Sequence, residues 1–388
     1  MNRVDVDLVI VGGGLAGLSL ASRLAAQNFD GSVLLVEPRL EYTDDRSWCL
    51  FTPEQSPWAV AATRRWQRWR IAARADAGLE LSAAGWCYAY LRSSAVYAAA
   101  LAKIAETPRI QLLRGHRVDS IRALDPGVEI SSSAGTVRAR WAVDTRPPSI
   151  QRIAQATLRQ SFAGREIVLS GSFVDDGVVE LMTDMHTDAH GFVFTYVLPL
   201  SPERALVEAT RFSTTTLDPG VLEADLDAVL EARGWASAQV LRRESATLPM
   251  GLPVVDTVKA SPAVVCAGIG AGALRAASGY GFARIQAWAD RCAQALARGA
   301  APCGHPREPR LQAWMDTTFL RVLAAEPERT PAFFTALARA LPGTVFARFM
   351  ADAARPADLA RIVAALPPAP FLRALMHSRP RPSAAVTM

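Results

Sequence analysis

The first strongly apolar stretch, VDVDLVIV over residues 4–11, runs into the glycines GGG and then into LAGLSLASRLAAQ. That succession predicts a strand, a glycine turn and a helix. A second apolar run, SVLLVEP, predicts another strand ending at Glu37. Far downstream, GFVFTYVLPLS over 191–201 is among the most strand-like stretches of the chain, and RALVEATRF over 204–212 follows it as a further strand. Val207, Ala209 and Phe212 favour burial there, and Glu208 interrupts them. Strands alternate between two faces, so the local pattern by itself assigns Glu208 to the solvent side. Beyond residue 260, Ala263–Cys266 reads as a strand, followed by a glycine-rich loop and a helix after Tyr280. The segments FLRVL, AFFTALARAL and VFARFM near the C-terminus carry apolar residues at helical spacing. They suit core packing first and the covering of a hydrophobic tunnel second.

The glycines give the first chemistry. Gly12, Gly14 and Gly17 form G-x-G-x-x-G around Leu15 and Ala16, and Glu37 lies twenty residues after Gly17. Gly12 permits a tight turn, Gly14 lets a pyrophosphate approach the backbone, and Gly17 lets the helix pack on the strand. The helix N-terminus then faces the phosphates, and Glu37 takes the ribose hydroxyls of a dinucleotide. An acid at that position disfavours the 2′-phosphate of NADP. The second glycine-rich segment, with Gly270, Gly272 and Gly279, suits FAD held along its length, although glycines there could also serve only helix-on-sheet packing. Arg92 is expected to complete the FAD site. The fold class is therefore α/β. A Rossmann-like FAD-binding domain is expected from 1–150 and a return segment at 255–300, with an inserted sheet domain for substrate at 151–254 and a helical region at 301–388. No internal repeat is evident.

Composition narrows the classes. Of 388 residues half are hydrophobic, ample for a sizeable core. The net charge of +5 comes almost wholly from arginine, since Lys103 and Lys259 are the only lysines, so it reflects coding bias as readily as an anionic partner. No nucleic-acid module accompanies it. The five cysteines are scattered without a C-x-x-C pair, and the five histidines show no ligand spacing, so neither a disulfide framework nor a metal site is expected. The N-terminus enters a strand at once, without a signal peptide, and no apolar run reaches the ~18 residues of a membrane span. The expected location is cytoplasmic, with any membrane met from its surface. The strip RRWQRWR (64–70) reads either as a basic-aromatic lipid contact or as strands with packed tryptophans, and PRPSAAVTM reads as a disordered tail.

The N-terminal fingerprint, YAYLRSSAVYAAAL, AVDTRPP, LMTDMHTDAHGFVFTYVLPLSPERALVEATRF and GALRAASGYGF follow one another in a chain that resembles the bacterial lycopene cyclases over nearly its whole length. The resemblance implies an aromatic-hydroxylase-like flavoprotein fold and an isomerisation that closes the linear ψ-end of lycopene, or a related carotenoid, into a β-ionone ring. It also implies reduced FAD without net electron transfer, with NAD(P)H one candidate reductant, and a peripheral membrane enzyme. The family's glutamate falls on Glu208, which becomes the acid protonating an alkene in a dry tunnel, where burial raises a carboxyl pKa. Asp184 is expected as a supporting carboxylate, either displaced by one position from the family's Met-Asp pair or replaced there by Thr183. Other departures are Arg46 where the family carries histidine and Ala276 where it carries proline, while Trp48 and Phe51 match. These changes keep a flavin monooxygenase or prenyl reductase as the rival enzyme reading, although hydroxylases carry Gly-Asp where this chain has Gly268 and Ile269. A non-catalytic carotenoid carrier is the rival outside enzymes.

Overall fold

The computed structural model describes residues 5–27, 29–74, 78–171, 175–253 and 262–376. The tail PRPSAAVTM and residues 254–261 of the return segment lie outside the described residues. Leu8 to Val11 are all buried in β1 (Val6–Val11), as a strand covered on both faces demands. β1 lies parallel to β2 (Val33–Glu37) on one side and to β11 (Gly135–Asp144) on the other. β8 (Ile110–Arg114) extends the sheet parallel to β2, and β17 (Val264–Cys266) runs parallel to β11. β9 (Val118–Ala123) and β10 (Val128–Ser132) form an antiparallel edge. Helices α1 (Leu15–Ala26), α3 (Ser93–Ala105) and α6 (Phe282–Ala297) contribute Leu18, Tyr97 and Trp288 to the core of this half. Two short helices, α2 (Pro57–Ala61) and α4 (Ile150–Ile153), sit at connections.

A second, largely antiparallel sheet has the order β16 (Gln239–Met250), β12 (Leu158–Val168), β15 (Arg204–Ser213), β14 (Gly191–Ser201), β13 (Val178–Asp188), β5 (Arg68–Ala73), β6 (Leu79–Ser82). Its central strands β14 and β15 are apolar on both faces because both are covered. Ala205, Val207 and Ala209 face Leu222, Leu226 and Leu230 of α5 (Pro219–Ala232). Leu206 and Phe212 face the other way, into a core shared with the C-terminal helices. Those helices are α7 (Arg310–Ala325), α8 (Thr330–Ala340), α9 (Gly343–Met350), α10 (Pro356–Ala365) and α11 (Pro368–Met376). A small third sheet pairs β3 (Ser47–Pro53), β7 (Trp86–Arg92) and β4 (Arg64–Trp66) in antiparallel fashion.

One expectation needs correction. β5 and β6 belong to the first 150 residues, yet they extend the second sheet, with β5 parallel to β13. Trp69 and Ile71 of β5 are buried in the core shared with the C-terminal helices, which is what holds the strand there. The RRWQRWR strip accordingly turns its tryptophans inward. Trp66 and Trp69 are buried, while Arg64 pairs with Asp176 and Arg68 with Asp175 and Glu80.

A buried ion pair ties the return segment to the helical region. Arg275 and Asp316 are both buried and form two contacts of 3.2 Å, and the guanidinium lies 4.0 Å from the Phe349 ring centroid. Asp352 approaches the same guanidinium at 3.5 Å, so Asp316→Ala leaves a buried charge only partly compensated and is expected to cost up to about 3–5 kcal/mol. A thermal midpoint equal to that of the parent protein would refute this.

Candidate active site

The sheet register places Glu208 in a row of four side-chain positions. On β15 it is opposite Gly164 of β12 and Tyr196 of β14, and Gly164 is opposite Glu244 of β16 on its other side. Gly164 is what lets the two carboxyls meet. A Cβ at that position would lie 2.8 Å from Glu208 Cγ and 3.4 Å from Glu244 Cγ. Isolated glycines inside strands mark such close approaches. Glu244 is firmly held: the Ser47 hydroxyl donates to its Oε1 at 2.9 Å and Arg242 Nη1 to its Oε2 at 2.9 Å. Arg242 Nη2 also donates to Ser47 Oγ at 2.8 Å and to the Tyr90 hydroxyl at 3.2 Å.

Glu208 opens onto a cavity of about 480 Å³, within the range of small-molecule sites. The walls are mostly apolar, with Phe162, Leu181, Phe194, Phe212 and Phe334 among the lining residues. The polar exceptions include Glu208, Gln160, three tyrosines and the Arg275–Asp316 pair. Tyr88, Tyr196 and Tyr280 line the cavity as a chain of hydroxyls, Tyr88 to Tyr196 at 2.7 Å and Tyr88 to Tyr280 at 3.1 Å. Burial raises all three phenols, so they remain neutral donors and acceptors. Glu208 itself is held well above the ordinary carboxyl range. Burial is the main cause and the adjacent Glu244 charge the second, with Arg242 opposing them. Its remaining accessible surface belongs to the cavity wall. The arrangement is a carboxyl whose ionisation is disfavoured, set in an apolar, aromatic chamber; such a group can donate a proton and then leave an anion beside whatever cation forms.

The opposite end of the cavity is formed by the C-terminal helices. Trp314 of α7, Val363 of α10 and Leu372 of α11 line it, and about half of each side chain is exposed. Leu311 and Met376 extend this exposed apolar rim along the same helices, and α10 and α11 meet at a bend of 98°. Among the described residues no single helix is long and apolar enough to cross a membrane.

The turn between β1 and α1 has the room and the donors for a dinucleotide pyrophosphate. A Cβ on Gly14 would meet nothing within 4 Å, and α1 starts with no side-chain cap and no acid in its first turn. Gly12 adopts φ +95°, and a Cβ on Gly17 would lie 1.9 Å from the Gly12 carbonyl oxygen. The Thr145 hydroxyl fastens the turn by donating to the carbonyls of Val11 and Gly12. Leu15 and Ala16 form the first turn of α1. Glu37 is buried at the end of β2, where the Gly13 N–H donates to it at 2.5 Å and Arg39 Nε at 2.7 Å. Loop and acid form one hydrogen-bonded unit. In the return segment Gly272 and Gly279 have positive φ, and Gly270 approaches Pro148. Gly279 also forms part of the cavity wall and faces Gln160 Oε1, a buried acceptor without a hydrogen-bond partner among the described residues. The residues present fit a dinucleotide cofactor such as FAD, which the glycine turn and Glu37 would hold at its pyrophosphate and ribose.

One expected site residue, Asp184, stands away from the cavity. Asp184 is exposed, 3.4 Å from Arg233, at positive φ where β13 loses register with its neighbours. These irregularities carry it to the exposed side, and it does not line the Glu208 cavity. The carboxylate beside Glu208 is Glu244, which sequence reasoning missed. Arg92 contacts Asp44 at 2.5 Å and Glu166 at 3.1 Å, joining β7 to the second sheet. The glycine at 164, inside a strand-like SFAGREIV, was the one sequence signal for a close approach.

Comparison with known proteins gives a consistent result. The family described as "Lycopene cyclase protein" matches residues 7–376. A lycopene beta-cyclase of Pantoea ananas is 26% identical over 383 residues, covering 95% of this chain and 97% of that protein. One from Paracoccus sp. (strain N81106 / MBIC 01143) is 28% identical over 408 aligned positions, covering 97% and 98%. Among solved structures, a geranylgeranyl bacteriochlorophyll reductase-like protein of Thermoplasma acidophilum superposes with a TM-score of 0.60 at 13% identity, covering 96% of this chain and 98% of that one. A variant of the halogenase PltM in complex with FAD gives 0.55 at 14% identity, covering 89% and 79%. At such identities the structural likeness establishes the fold alone, an α/β flavoprotein architecture.

Proposed function

The chain belongs to the lycopene cyclase family, and from that premise we propose that it closes the ψ-end of a linear carotenoid into a β-ionone ring with Glu208 as the initiating acid. The observation that carries this reading is a carboxyl held protonated in a chamber lined by aromatic and aliphatic side chains. The Glu208 O–H bond breaks as its proton adds to the terminal alkene carbon, leaving a tertiary carbocation and a carboxylate. The next double bond attacks the cation and forms the six-membered ring, a ring proton is lost to solvent water, and Glu208 is reprotonated from solvent, completing an isomerisation with no net change in electrons. The new carboxylate stabilises the positive charge in a site of low dielectric. Tyr88, Tyr196 and Tyr280 add aromatic rings, which favour a cation. The glycine turn at Gly12–Gly17, Glu37 and the segment bearing Gly270, Gly272 and Gly279 would hold FAD. When bound in its reduced form, that group supplies an electron-rich ring system that favours a nearby cation. The test is lycopene in liposomes, given to the purified protein with chemically reduced FAD in deuterated water. Cyclic product with one deuterium per ring is expected. Linear product, or oxygenated or hydrogenated product formed with consumption of NAD(P)H, would overturn the reading in favour of redox chemistry.

The substrate is a long hydrocarbon dissolved in lipid, and the exposed rim of Trp314, Val363 and Leu372 adjoins the cavity. Arg310 and Arg361 are exposed on the same helices. An apolar patch rimmed by cations suits a peripheral position on an anionic bilayer. Val363→Glu combined with Leu372→Glu is expected to reduce flotation with anionic liposomes at least about tenfold, the equivalent of about 1.4 kcal/mol. The thermal midpoint should stay unchanged, because both side chains are already half exposed. Undiminished flotation would remove this face from the membrane.

A further inference from the structure

We infer that Glu244 is a positioning residue for Glu208: as a fixed carboxylate it keeps the Glu208 proton in place across the working pH range. The inference rests on the reading of Glu208 as the acid. It starts from a charge pattern around β12. Glu166 is fully buried and shared by Arg92 at 3.1 Å, Arg242 at 3.3 Å and Arg204. Asp44 is bound by Arg92 at 2.5 Å and approached by Arg242 at 3.6 Å. Glu244 receives Arg242 at 2.9 Å. Asp44, Glu166 and Glu244 are thus matched by Arg92, Arg204 and Arg242. Among the described residues, Glu208 is the carboxyl of this cluster with no guanidinium in ion-pair contact.

Geometry gives this asymmetry its consequence. Glu244 is bound to Ser47 and Arg242, buried, and absent from the cavity wall, whereas Glu208 is part of that wall. Only Gly164 stands between the two, and any larger residue would force them apart. The groups facing Glu208 are Glu244 and Arg242 of β16, Cys49 of β3, Tyr196 of β14, and Tyr280 before α6, with Tyr88 and Tyr90 of β7 adjoining them. Of these only Glu244 and Arg242 form an ion pair with each other, at 2.9 Å. Because Glu244 is already ion-paired to Arg242 and meets Glu208 across Gly164, ionising Glu208 would place a second anion beside the first, which favours keeping the proton on Glu208. Removing the Glu244 charge would release Arg242 to attract an ionised Glu208, and both changes lower the pH at which the proton is lost.

The direct measurement is the infrared carbonyl band of a protonated carboxylic acid, titrated in the protein without and with FAD. Glu208→Gln identifies the band by its loss. In Glu244→Gln the Glu208 band is expected to disappear at least about one pH unit lower than in the parent protein. The basic limb of kcat for ring closure should move with it, while KM for the carotenoid changes less than about twofold, because Glu244 does not line the cavity. Glu244→Asp keeps the charge but withdraws it by one methylene, so it should shift the limb by less than half as much and recover most activity. If the Gln variant fails to fold, the Asp variant decides: a band unmoved or moved upward overturns the inference. An unmoved Glu208 band in a folded Gln variant also overturns it, even where Glu208→Gln is inactive and the acid reading stands. Wild-type ring closure by Glu208→Gln would instead remove the acid reading, and the two failures are distinguishable.

Discussion

Glu208→Gln is expected to lower ring closure by about 10²–10⁴-fold, the ordinary contribution of a general acid, while FAD binding is retained. The amide keeps the volume of the carboxyl and removes its transferable proton. Glu208→Asp should keep part of the activity, since the acid survives and is withdrawn by one methylene. A stability measurement separates chemistry from damage, and its sign follows from the raised carboxyl. The native state keeps a proton on Glu208 that the unfolded chain releases near the ordinary value of about 4.3. Between that pH and the raised native value the unfolded state binds fewer protons, so the parent protein loses stability as pH rises. The Gln variant has no such term. Its thermal midpoint should match the parent's below about pH 4 and exceed it progressively above that. A Gln variant that cyclises at the parental rate would show Glu208 to be a bystander. One that melts lower at alkaline pH would refute the buried neutral carboxyl.

The parts of this site that were legible in the sequence are those set by neighbours along the chain. The strand, glycine turn, helix and acid from β1 to Glu37 form a local unit, and each step has its own signature, so the expected turn and the observed one coincide. The face of β15 that bears Glu208 was not legible. Alternation promises one buried and one wet face, but α5 covers Val207 while the C-terminal helices cover Leu206, so neither side of the strand is solvent. Glu244 was hidden for the opposite reason. QVLRRESAT reads as an exposed polar strand, and only pairing with β12, some eighty residues earlier, turns Glu244 inward. Asp184 was misplaced by a backbone irregularity: positive φ and lost register in β13 carry it outward, which no periodicity reveals. The partnership of β5 with β13 is likewise non-local, and it moved a strand of the first segment into the second sheet.

The glycine turn allows its cofactor role to be separated from its structural role by two neighbouring substitutions. Gly17→Ala is expected to damage the protein itself. Its methyl would lie 1.9 Å from the Gly12 carbonyl oxygen and 3.1 Å from Thr145 Oγ1, and neither the β1 turn nor α1 can retreat from a core packed on both. Overpacking against backbone at that distance should cost more than about 3 kcal/mol and lower the thermal midpoint with or without FAD. Gly14→Val should act in the reverse manner. Gly14 is the N-cap of α1 with φ −73°, a conformation open to any L residue, and its side-chain direction is empty to 4 Å. Stability of the flavin-free protein should therefore change by less than about 1 kcal/mol. The added isopropyl group would occupy the space in front of the helix N-terminus, where the backbone N–H groups would meet a pyrophosphate. FAD affinity, followed by quenching of flavin fluorescence, should fall at least about tenfold, the equivalent of about 1.4 kcal/mol. Parental affinity in a folded Gly14→Val protein would place the cofactor somewhere other than this turn. Parental stability in Gly17→Ala would mean that the β1–α1 contact is looser than its geometry requires.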